Sequence, residues 1–256
     1  MGAQRVRQEI RERVAVAKVG KQSAAWIGIS NLPRTNLTRV HITASRGEFA
    51  GCFPESGKLV LFRDRLGARN IYYSVRNGEV FVSTDLAWIG EQVGGEPNWP
   101  YITSDYLEFQ LPFADETFFA GVRKVMPGEF VTIDPKGDAK REAYWDLEFG
   151  DRPFRAEELT DLIRDAVEFR LSVIAGHPYT AYLSGGLDSS TTALLAKPQE
   201  CLSGFYAEEG YSEMDYIDAV VRESRGALRY TPVQITEEAF QNLLGSLPDI
   251  LPDPCG

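Results

Sequence analysis

The stretch Tyr179-Thr-Ala-Tyr-Leu-Ser-Gly-Gly-Leu-Asp-Ser-Ser190 decides the organisation of the second half of the chain. Its first part, Tyr179 to Leu183, is an apolar, β-prone run that predicts a short buried strand. A glycine turn follows, and we expect a helix from about Ser189 to Ala196. Because adjacent glycines can adopt positive φ and let the backbone approach a ligand closely, the turn is a candidate binding loop.

The turn also carries the hydrogen-bond donors that a phosphate group needs. The first N–H groups of a helix have no internal partners and lie at the positive end of the helix dipole. Hydroxyl groups of Ser184, Ser189 and Ser190 add donors, so the loop predicts a phosphate or pyrophosphate site. Asp188 would repel such a ligand unless a cation lay between them, which makes it a candidate Mg²⁺ ligand. The alternative is a structural corner in which the serines only cap the helix.

Residues 151–256 alternate between helix and strand patterns around this loop. A helix is expected at Ala156–Val173, and three strand–helix pairs follow, with strands over 179–183, 201–206 and 228–233 and helices over 189–196, 213–224 and 236–246. This alternation predicts a parallel α/β sheet with helical cover. The loop then lies at the carboxyl end of a strand, where open α/β sheets bind ligands. Because Leu251–Gly256 reads as loop, we expect this domain to be incomplete, as a fragment or as half of a split protein.

Residues 23–150 show short strands and turns, which predict a strand-rich layered α+β domain. Strands are expected at Ala24–Ser30, Arg39–Thr43, Lys58–Phe62, Asn70–Val75 and Glu79–Ser83, and a strand, turn and strand over Gly121–Ile133. The dipeptide Asn77-Gly78 is a strong hairpin signal, because a type I′ turn needs positive φ at both positions. Residues 1–22 form an extension in which an amphipathic helix is expected over residues 1–20, either docked on the domain or available to an acidic partner.

The composition excludes several classes of protein. A net charge of −10 argues against non-specific nucleic-acid binding. The cysteines Cys52, Cys201 and Cys255 are widely spaced, which indicates a reducing compartment and no zinc site. No apolar run approaches the roughly 18 residues of a membrane helix, and the N-terminus has no secretory signal pattern. We therefore expect a cytoplasmic protein with no nucleic-acid or membrane partner.

Several motifs resemble one family. Ser184-Gly-Gly-Leu-Asp-Ser-Ser190 resembles the pyrophosphate loop, or PP-loop, of the ATP-pyrophosphatase group, which has the adenine nucleotide alpha hydrolase fold, and its Leu-Asp-Ser form is most similar to asparagine synthetases. Phe62-Arg-Asp-Arg-Leu-Gly-Ala-Arg-Asn-Ile-Tyr-Tyr73 is similar to that family's Arg-Asp-x-Leu-Gly-x-x-Pro-Leu-Tyr-Tyr segment. Phe81–Asp85, Met126–Phe130 and Tyr211–Tyr216 also resemble family segments, and all occur in collinear order over about residues 47–256.

The resemblance implies a degenerate, Ntn-type glutaminase-like domain at residues 23–150 and the N-terminal part of a synthetase domain at residues 151–256. It further implies an ATP-dependent ligase that activates a carboxylate as an acyl-adenylate, releases pyrophosphate and forms an amide. Ammonia or a substrate amine would be the nucleophile, as in the β-lactam synthetase and lasso-peptide cyclase relatives. The implied ATP-binding residues, with Mg²⁺ on Asp188, are Leu183, Ser184, Gly185, Gly186, Leu187, Asp188, Ser189, Ser190, Ser203 and Gly204.

The chain also departs from the family. It begins Met1-Gly2-Ala3, whereas glutaminase-active members begin with a nucleophilic cysteine whose own α-amino group is the base. Cys52 cannot replace that residue, so no glutaminase activity is expected. The family's later Gly-x-Asp-Glu motif and catalytic Lys and Glu would lie beyond residue 256, so no catalytic residue is assigned. The alternative is a non-catalytic nucleotide-binding relative or one subunit of a split ligase, with a C-terminal complementing subunit or a second copy as partner.

Two further groups of polar residues have structural interpretations. Arg63, Asp64 and Arg65 are expected to form an ion-pair corner at a strand end, with a substrate role as the alternative. Glu213 and Asp215 lie near the start of a helix for which Ser212 is a suitable N-cap. They would cap that helix, or else contribute to the second half of the nucleotide site.

Overall fold

A computed structural model describes residues 16–17, 24–110, 114–151, 153, 155–207 and 212–246 of the chain. It is a mixed α/β protein with several sheets. The chain divides into two compact units, of which one ends at Gly150 and the other begins at Asp151. Among the residues described, no helix has the length and apolar character needed to cross a membrane.

The first unit contains two antiparallel sheets. One has the strand order β1–β6–β5–β7 and consists of β1 (Val16–Ala17), β5 (Tyr72–Arg76), β6 (Glu79–Ser83) and β7 (Arg123–Lys124). The other has the order β2–β3–β4–β8–β9 and consists of β2 (Ala25–Ser30), β3 (Gly47–Glu55), β4 (Lys58–Arg63), β8 (Glu129–Ile133) and β9 (Ala139–Ala143).

The middle of strand β4, Leu59–Phe62, is apolar because both faces of the strand are buried there. Leu59 and Leu61 join a core cluster that also contains residues of β5 and β6, so this cluster lies between the two sheets. Val60 and Phe62 point to the opposite face, where they meet Ile42 of helix α1 (Arg39–Ala44) in a second cluster. Because successive side chains of a strand point to opposite faces, this one strand contributes to two core clusters.

The four-stranded sheet is covered on its outer face in the same way. Tyr72 of β5 packs with Leu86 and Ile89 of helix α2 (Leu86–Gln92), while its neighbour Tyr73 faces the other sheet. The unit is thus layered as helix, sheet, sheet and helix. Between α2 and β7 the chain forms a helical segment, with α3 (Trp99–Tyr101), a π-helical turn (Ile102–Tyr106) and α4 (Leu107–Phe109).

The corner after β4 is held by the carboxylate of Asp64, which is buried. Its Oδ1 accepts hydrogen bonds from the backbone N–H groups of Leu66 and Ala68, at 3.1 and 3.0 Å. Its Oδ2 accepts from the N–H groups of Phe49 and Arg69, at 3.3 and 3.0 Å. Four otherwise unsatisfied donors are therefore collected by one side chain.

The neighbouring guanidinium of Arg63 satisfies acceptors in the same corner. It donates to the carbonyl oxygens of Arg69, Gly67 and Val125, and to the side-chain oxygen of Asn70. The expected corner of Arg63 and Asp64 is thus present, and the hydrogen bonds described here join both side chains to the backbone. Arg65 donates instead to the carbonyl oxygen of Thr43.

Two expectations for this unit are wrong. Residues Arg39–Thr43 lie in helix α1 and not in a strand, because Thr38 caps the N–H of His41 and only Ile42 needs to be buried. Val16 and Ala17 form a strand that pairs with Val82 and Phe81 of β6, so they are not part of a helix over residues 1–20. The other residues of that expected helix lie outside the described ranges.

The remaining differences concern elements that the sequence left unassigned or paired differently. Strands β3 and β9 and helix α2 were not expected. The segment Gly121–Ile133 does contain two strands, but β7 pairs with β5 and β8 pairs with β4 and β9, so the two belong to different sheets. The Asn77-Gly78 turn is confirmed, with φ of 53° and 75° at its two residues.

The second unit is a three-stranded parallel sheet with helices. Strands β10 (Thr180–Tyr182), β11 (Glu200–Phe205) and β12 (Tyr230–Gln234) lie in that order and pair in parallel, as the alternation predicts. Helix α5 (Ala156–Val173) has the expected bounds, and α6 (Leu187–Ala196), α7 (Met214–Glu223) and α8 (Glu237–Leu244) follow the strands. A core cluster of Leu183, Ala193, Cys201, Ile217 and Leu228 joins one face of the sheet to α6 and α7.

The Asp64 corner leads to a test of stability. We expect Asp64→Ala to lower the free energy of unfolding of the first unit by roughly 3 kcal/mol, because it leaves several buried N–H groups without an acceptor. Urea denaturation of the full chain measures this change. Asp138→Ala is the matched control, because Asp138 is exposed and its side chain lies outside the corner. A loss at Asp64 no larger than the loss at Asp138 would contradict the structural role of the carboxylate.

Candidate functional site

The Ser-Gly-Gly loop connects the carboxyl end of β10 to the start of α6. Leu183 is buried just after the strand, and its N–H donates to the carbonyl oxygen of Leu202 in β11 at 2.9 Å. Helix α6 begins at Leu187, with Gly186 as its N-cap and no side-chain cap bond. The first N–H groups of this helix are therefore available to a ligand at the edge of the sheet.

Two serine hydroxyl groups face each other across the loop. Ser184 Oγ lies 3.0 Å from Ser189 Oγ, and the N–H of Ser184 donates to the same Ser189 oxygen at 3.2 Å. Ser189 Oγ also donates to the carbonyl oxygen of Gly186 at 3.2 Å. This pair closes the turn into a compact ring, and Ser184 remains exposed at its rim.

Gly185 allows the loop to lie against helix α7. Its φ is +81°, and a Cβ atom at this position would lie 2.8 Å from Tyr216 Cβ and 3.1 Å from the backbone nitrogen of Ile217. A larger residue would therefore push the loop away from the first turn of α7. The sequence did not indicate that Tyr216 and Ile217 lie behind the loop, because the contact joins elements far apart in the chain.

Ser203 and Gly204 lie at the end of the neighbouring strand. The hydroxyl of Ser203, which is buried, donates to the carbonyl oxygen of Leu183 at 2.8 Å. The Ser203 side chain thus joins β11 to the start of the loop, and its hydroxyl proton is used in this bond within the protein. Gly204 is exposed, so of this pair Gly204 offers open backbone next to the loop.

The residues of the first turn of α6 have different exposures. Asp188 and Leu187 are exposed, and Ser190 is buried. Ser190 Oγ has no hydrogen-bond partner, so it is an unsatisfied buried hydroxyl directly after the loop. Such a group fits a site in which a ligand supplies the missing acceptor.

A cation at this loop would depend on its ligand for most of its coordination. Within the described ranges, no group of three or more His, Cys, Asp or Glu side chains could hold a metal ion. Mg²⁺ commonly binds through one or two carboxylates together with substrate phosphates and water. The single exposed carboxylate of Asp188 fits that mode of binding and does not fit a permanent metal centre.

The polar residues near the start of α7 are arranged differently from the expectation. Glu213 is the N-cap of α7 and makes no side-chain cap bond, whereas the Ser212 hydroxyl accepts from the N–H of Met214 at 3.4 Å. Ser212 is therefore not the N-cap. Glu213 and Asp215 are both exposed beside the helix start.

The described cysteines are not poised for nucleophilic chemistry. Cys52 is buried between the two sheets of the first unit, and burial raises the pKa of its thiol to about 11. Cys201 is buried in the core of the second unit, and burial, together with the charge of Glu200, raises its pKa as well. Because the thiolate is the reactive form, neither thiol is activated.

Comparisons with known proteins identify two domains. The glutamine amidotransferase domain model matches residues 39–145, and the asparagine synthase model matches residues 158–256. The loop Ser184–Ser190 lies within the second match, and Cys52 lies within the first.

The similar proteins include amidases and an asparagine synthetase. The amidase chyE of Penicillium rubens is 33% identical over 162 residues, which cover 59% of this chain and 23% of the relative. The amidase chry2 of Gibberella zeae is 35% identical over 162 residues, with the same coverage of 59% and 23%. A glutamine-hydrolyzing asparagine synthetase of Bacillus subtilis is 28% identical over 221 residues, which cover 82% of this chain and 34% of the relative. The chain thus spans between about a quarter and a third of the length of these relatives.

Gly185 provides a test of the loop geometry. We expect Gly185→Ala to destabilise the second unit by about 1–3 kcal/mol more than Gly176→Ala, because only at Gly185 does the new methyl group meet a neighbouring backbone. Both glycines have positive φ, so both variants carry similar backbone strain. The unfolding transition of the second unit in urea gives both losses. Equal losses would show that the contact with α7 does not hold the loop.

Proposed function

The chain belongs to the asparagine synthetase family, and on that basis we propose that it binds ATP and Mg²⁺ at the Ser184–Ser190 loop and contributes to an amide-forming ligase reaction. In this reaction ATP activates a carboxylate as an acyl-adenylate, and pyrophosphate leaves. An amine or ammonia then attacks the acyl carbon and releases AMP. The carboxylate and the amine are small molecules.

The observation that carries the proposal is the combination of donors at the loop. The N–H groups at the start of α6, the hydroxyl of Ser184 and the unsatisfied hydroxyl of Ser190 occur within one turn at the carboxyl end of a parallel strand. Anions bind at helix N-termini for this reason. In a strand–turn–helix corner with serine caps this hydroxyl would bond within the protein, and Ser190 Oγ has no such partner.

Each residue of the loop has a distinct part in the proposed binding. Gly186 keeps a side chain out of the space that the phosphates need, Gly185 lets the loop lie against α7, and the hydroxyls orient the pyrophosphate part of ATP. Asp188 holds Mg²⁺, which when bound neutralises phosphate charge and so favours departure of pyrophosphate. Leu183 and the open backbone of Gly204 lie beside the adenosine, while Ser203 keeps the two strand ends together.

The nucleophile is proposed to come from outside the first unit. The buried thiol of Cys52, with its raised pKa, offers no route to glutamine hydrolysis in the part of the chain that the structure describes. The first unit then retains the amidotransferase-type domain without its cysteine chemistry. Free ammonia, a substrate amine or a partner protein would supply the amine.

The names of the relatives agree with this class of reaction. Two are amidases and one is a glutamine-hydrolyzing asparagine synthetase, so carbon–nitrogen amide chemistry is common to all three names. Because this chain spans only part of their length, completion of the synthetase site by further residues or by a complementing subunit is included in the proposal.

Nucleotide binding by the full chain tests the central proposal. We expect ATP to bind in the presence of Mg²⁺, and we expect Asp188→Ala to weaken that binding at least about tenfold, because the variant removes the carboxylate proposed to hold the cation at the loop. Isothermal titration calorimetry with MgATP, and with ATP and EDTA, measures both effects.

Asp161→Ala is the control, because Asp161 is an exposed carboxylate on α5 that pairs only with Arg164 among the contacts described. It should bind MgATP as the unmodified chain does. Equal affinity of the Asp188→Ala variant would refute the assignment of the loop. Binding without pyrophosphate release, with L-aspartate and ammonium chloride and the rest of the synthetase domain supplied in trans, would favour the non-catalytic alternative.

A second experiment tests the absence of glutaminase chemistry. In a Cys201→Ser, Cys255→Ser background we expect Cys52 to react with iodoacetamide at pH 8 at least roughly a hundredfold more slowly than in the urea-unfolded chain, because a pKa near 11 leaves very little thiolate. The same protein should release no glutamate from glutamine. Glutamate release that Cys52→Ser abolishes would overturn the proposal for the first unit.

A further inference from the structure

The first unit holds a cavity of about 400 Å³ that is separate from the nucleotide loop. Tyr73 of β5, Arg123 of β7 and Arg141 of β9 line it, so residues of both sheets meet there. Asp115, in the segment before β7, completes the charged part of its wall, and Ala139 lies at its edge. Neither the resemblance nor the family matches give these residues a role.

The charged side chains form a connected group around one buried carboxylate. Asp115 is only 8% exposed, and its Oδ1 lies 2.7 Å from a terminal nitrogen of Arg123. Its Oδ2 lies 3.2 Å from a terminal nitrogen of Arg141. The two guanidinium groups are therefore fixed on either side of Asp115, facing the same cavity.

Glu129 fixes Arg141 from behind. Its Oε1 lies 2.8 Å from Arg141 Nε, and its Oε2 accepts a hydrogen bond from the backbone N–H of Met126 at 3.1 Å. Glu129 is 9% exposed and does not line the cavity, so its charge is used within the protein. The cavity wall therefore presents two positive groups and one negative group.

The described contacts leave hydrogen-bonding capacity on this wall. A guanidinium carries five N–H donors and a carboxylate can accept about four hydrogen bonds. The contacts above use one nitrogen of Arg123, two nitrogens of Arg141 and one contact at each oxygen of Asp115. Arg123 and Arg141 are 51% and 43% exposed, so their remaining donors can reach a ligand in the cavity.

Tyr73 adds a neutral polar group. Burial, and then the charge of Asp115, raises the pKa of its phenol, so the hydroxyl keeps its proton at neutral pH. It can donate or accept a hydrogen bond without adding a charge to the wall.

We propose that this cavity binds a small amino acid in its zwitterionic form, with the carboxylate on Arg123 and Arg141 and the ammonium group on Asp115. Guanidinium groups bind carboxylates through paired hydrogen bonds, and the carboxylate of Asp115 provides the complementary charge. A phosphate dianion would lie beside the buried charge of Asp115, and an apolar ligand would leave the remaining donors and acceptors of these groups unused. A ligand that carries both charges matches the wall best.

Calorimetric titration of the full chain with a panel of small molecules tests the proposal. The panel consists of glycine, L-alanine, L-serine and L-aspartate, with acetate, ethylammonium and inorganic phosphate as single-charge comparisons. We expect at least one amino acid to bind about tenfold or more tightly than acetate or ethylammonium, since each of these satisfies only one sign of charge. If phosphate binds most tightly, or if no amino acid binds more tightly than acetate, the proposal fails.

Two variants distinguish ligand binding from a purely structural role of the charges. Arg123→Gln should weaken amino-acid binding about tenfold or more, because it removes one guanidinium. Ala139→Leu should do the same by filling the cavity, and it breaks no described hydrogen bond. If Arg123→Gln does not fold, as judged by circular dichroism, Ala139→Leu decides the question. Arg76→Gln, at an exposed position of β5 that does not line the cavity, should leave binding unchanged. Unchanged binding in Ala139→Leu would show that the cavity is not the site.

Discussion

The buried hydrogen bonds of Arg63 and Asp64 are the constraint on which the first unit depends. One carboxylate collects N–H groups from β3 and from the turn after β4, and the adjoining guanidinium collects carbonyl groups from that turn and from Val125. The chain can therefore leave the five-stranded sheet after β4 and enter the four-stranded sheet at β5 with few unpaired backbone groups. Removing either side chain would leave several buried groups unsatisfied, which is more costly than the loss of one ordinary hydrogen bond.

In the second unit, the backbone N–H donors at the start of α6 stay open beside the end of a strand. Ser203 and the Ser184–Ser189 pair hold the loop from inside, so the loop keeps its shape without help from its first helical N–H groups. Gly185 then fits against α7 where a Cβ atom would not. The structural bonds use the serine hydroxyls and the N–H of Ser184, whereas the first N–H groups of α6 stay open. This division lets a loop be ordered before its ligand arrives, which lowers the ordering cost of binding.

Local patterns in the sequence predicted the parts of the structure that local interactions determine. Helix Ala156–Val173 and the Asn77-Gly78 turn depend on periodicity and on positive φ, and both are present as expected. A strand was expected at Arg39–Thr43 because β-branched residues favour strands. The segment is helical, and long-range contacts of Arg39 with Glu55, Thr132 and the ring of Phe130 hold the helix in place. Strand β3 was not predicted because it begins with Gly47 and contains Gly51 and Pro54, which are uncommon in strands. For the loop, the sequence indicated the residues but could not separate their tasks: Ser203 is engaged between strands and Ser190 is not bonded. The sequence did not indicate the cavity, since Asp115, Arg123 and Arg141 come together only when the two sheets pack.

The tight Asn77-Gly78 turn has a consequence for the order in which the first unit folds. Strands β5 and β6 are joined by two residues, so their hairpin closes a very short loop and can form on a microsecond timescale. Strand β4, in contrast, pairs with β8 through Val60 and Thr132, and the hairpin itself lies in the chain between them. Closing that loop costs more entropy, and such non-local pairings slow folding. We therefore expect the β5–β6 hairpin, and the β3–β4 hairpin with its equally short turn, to form before β4 pairs with β8. The apolar side chains of β4 stay exposed until β8 arrives, and this interval is when the unit is most open to aggregation.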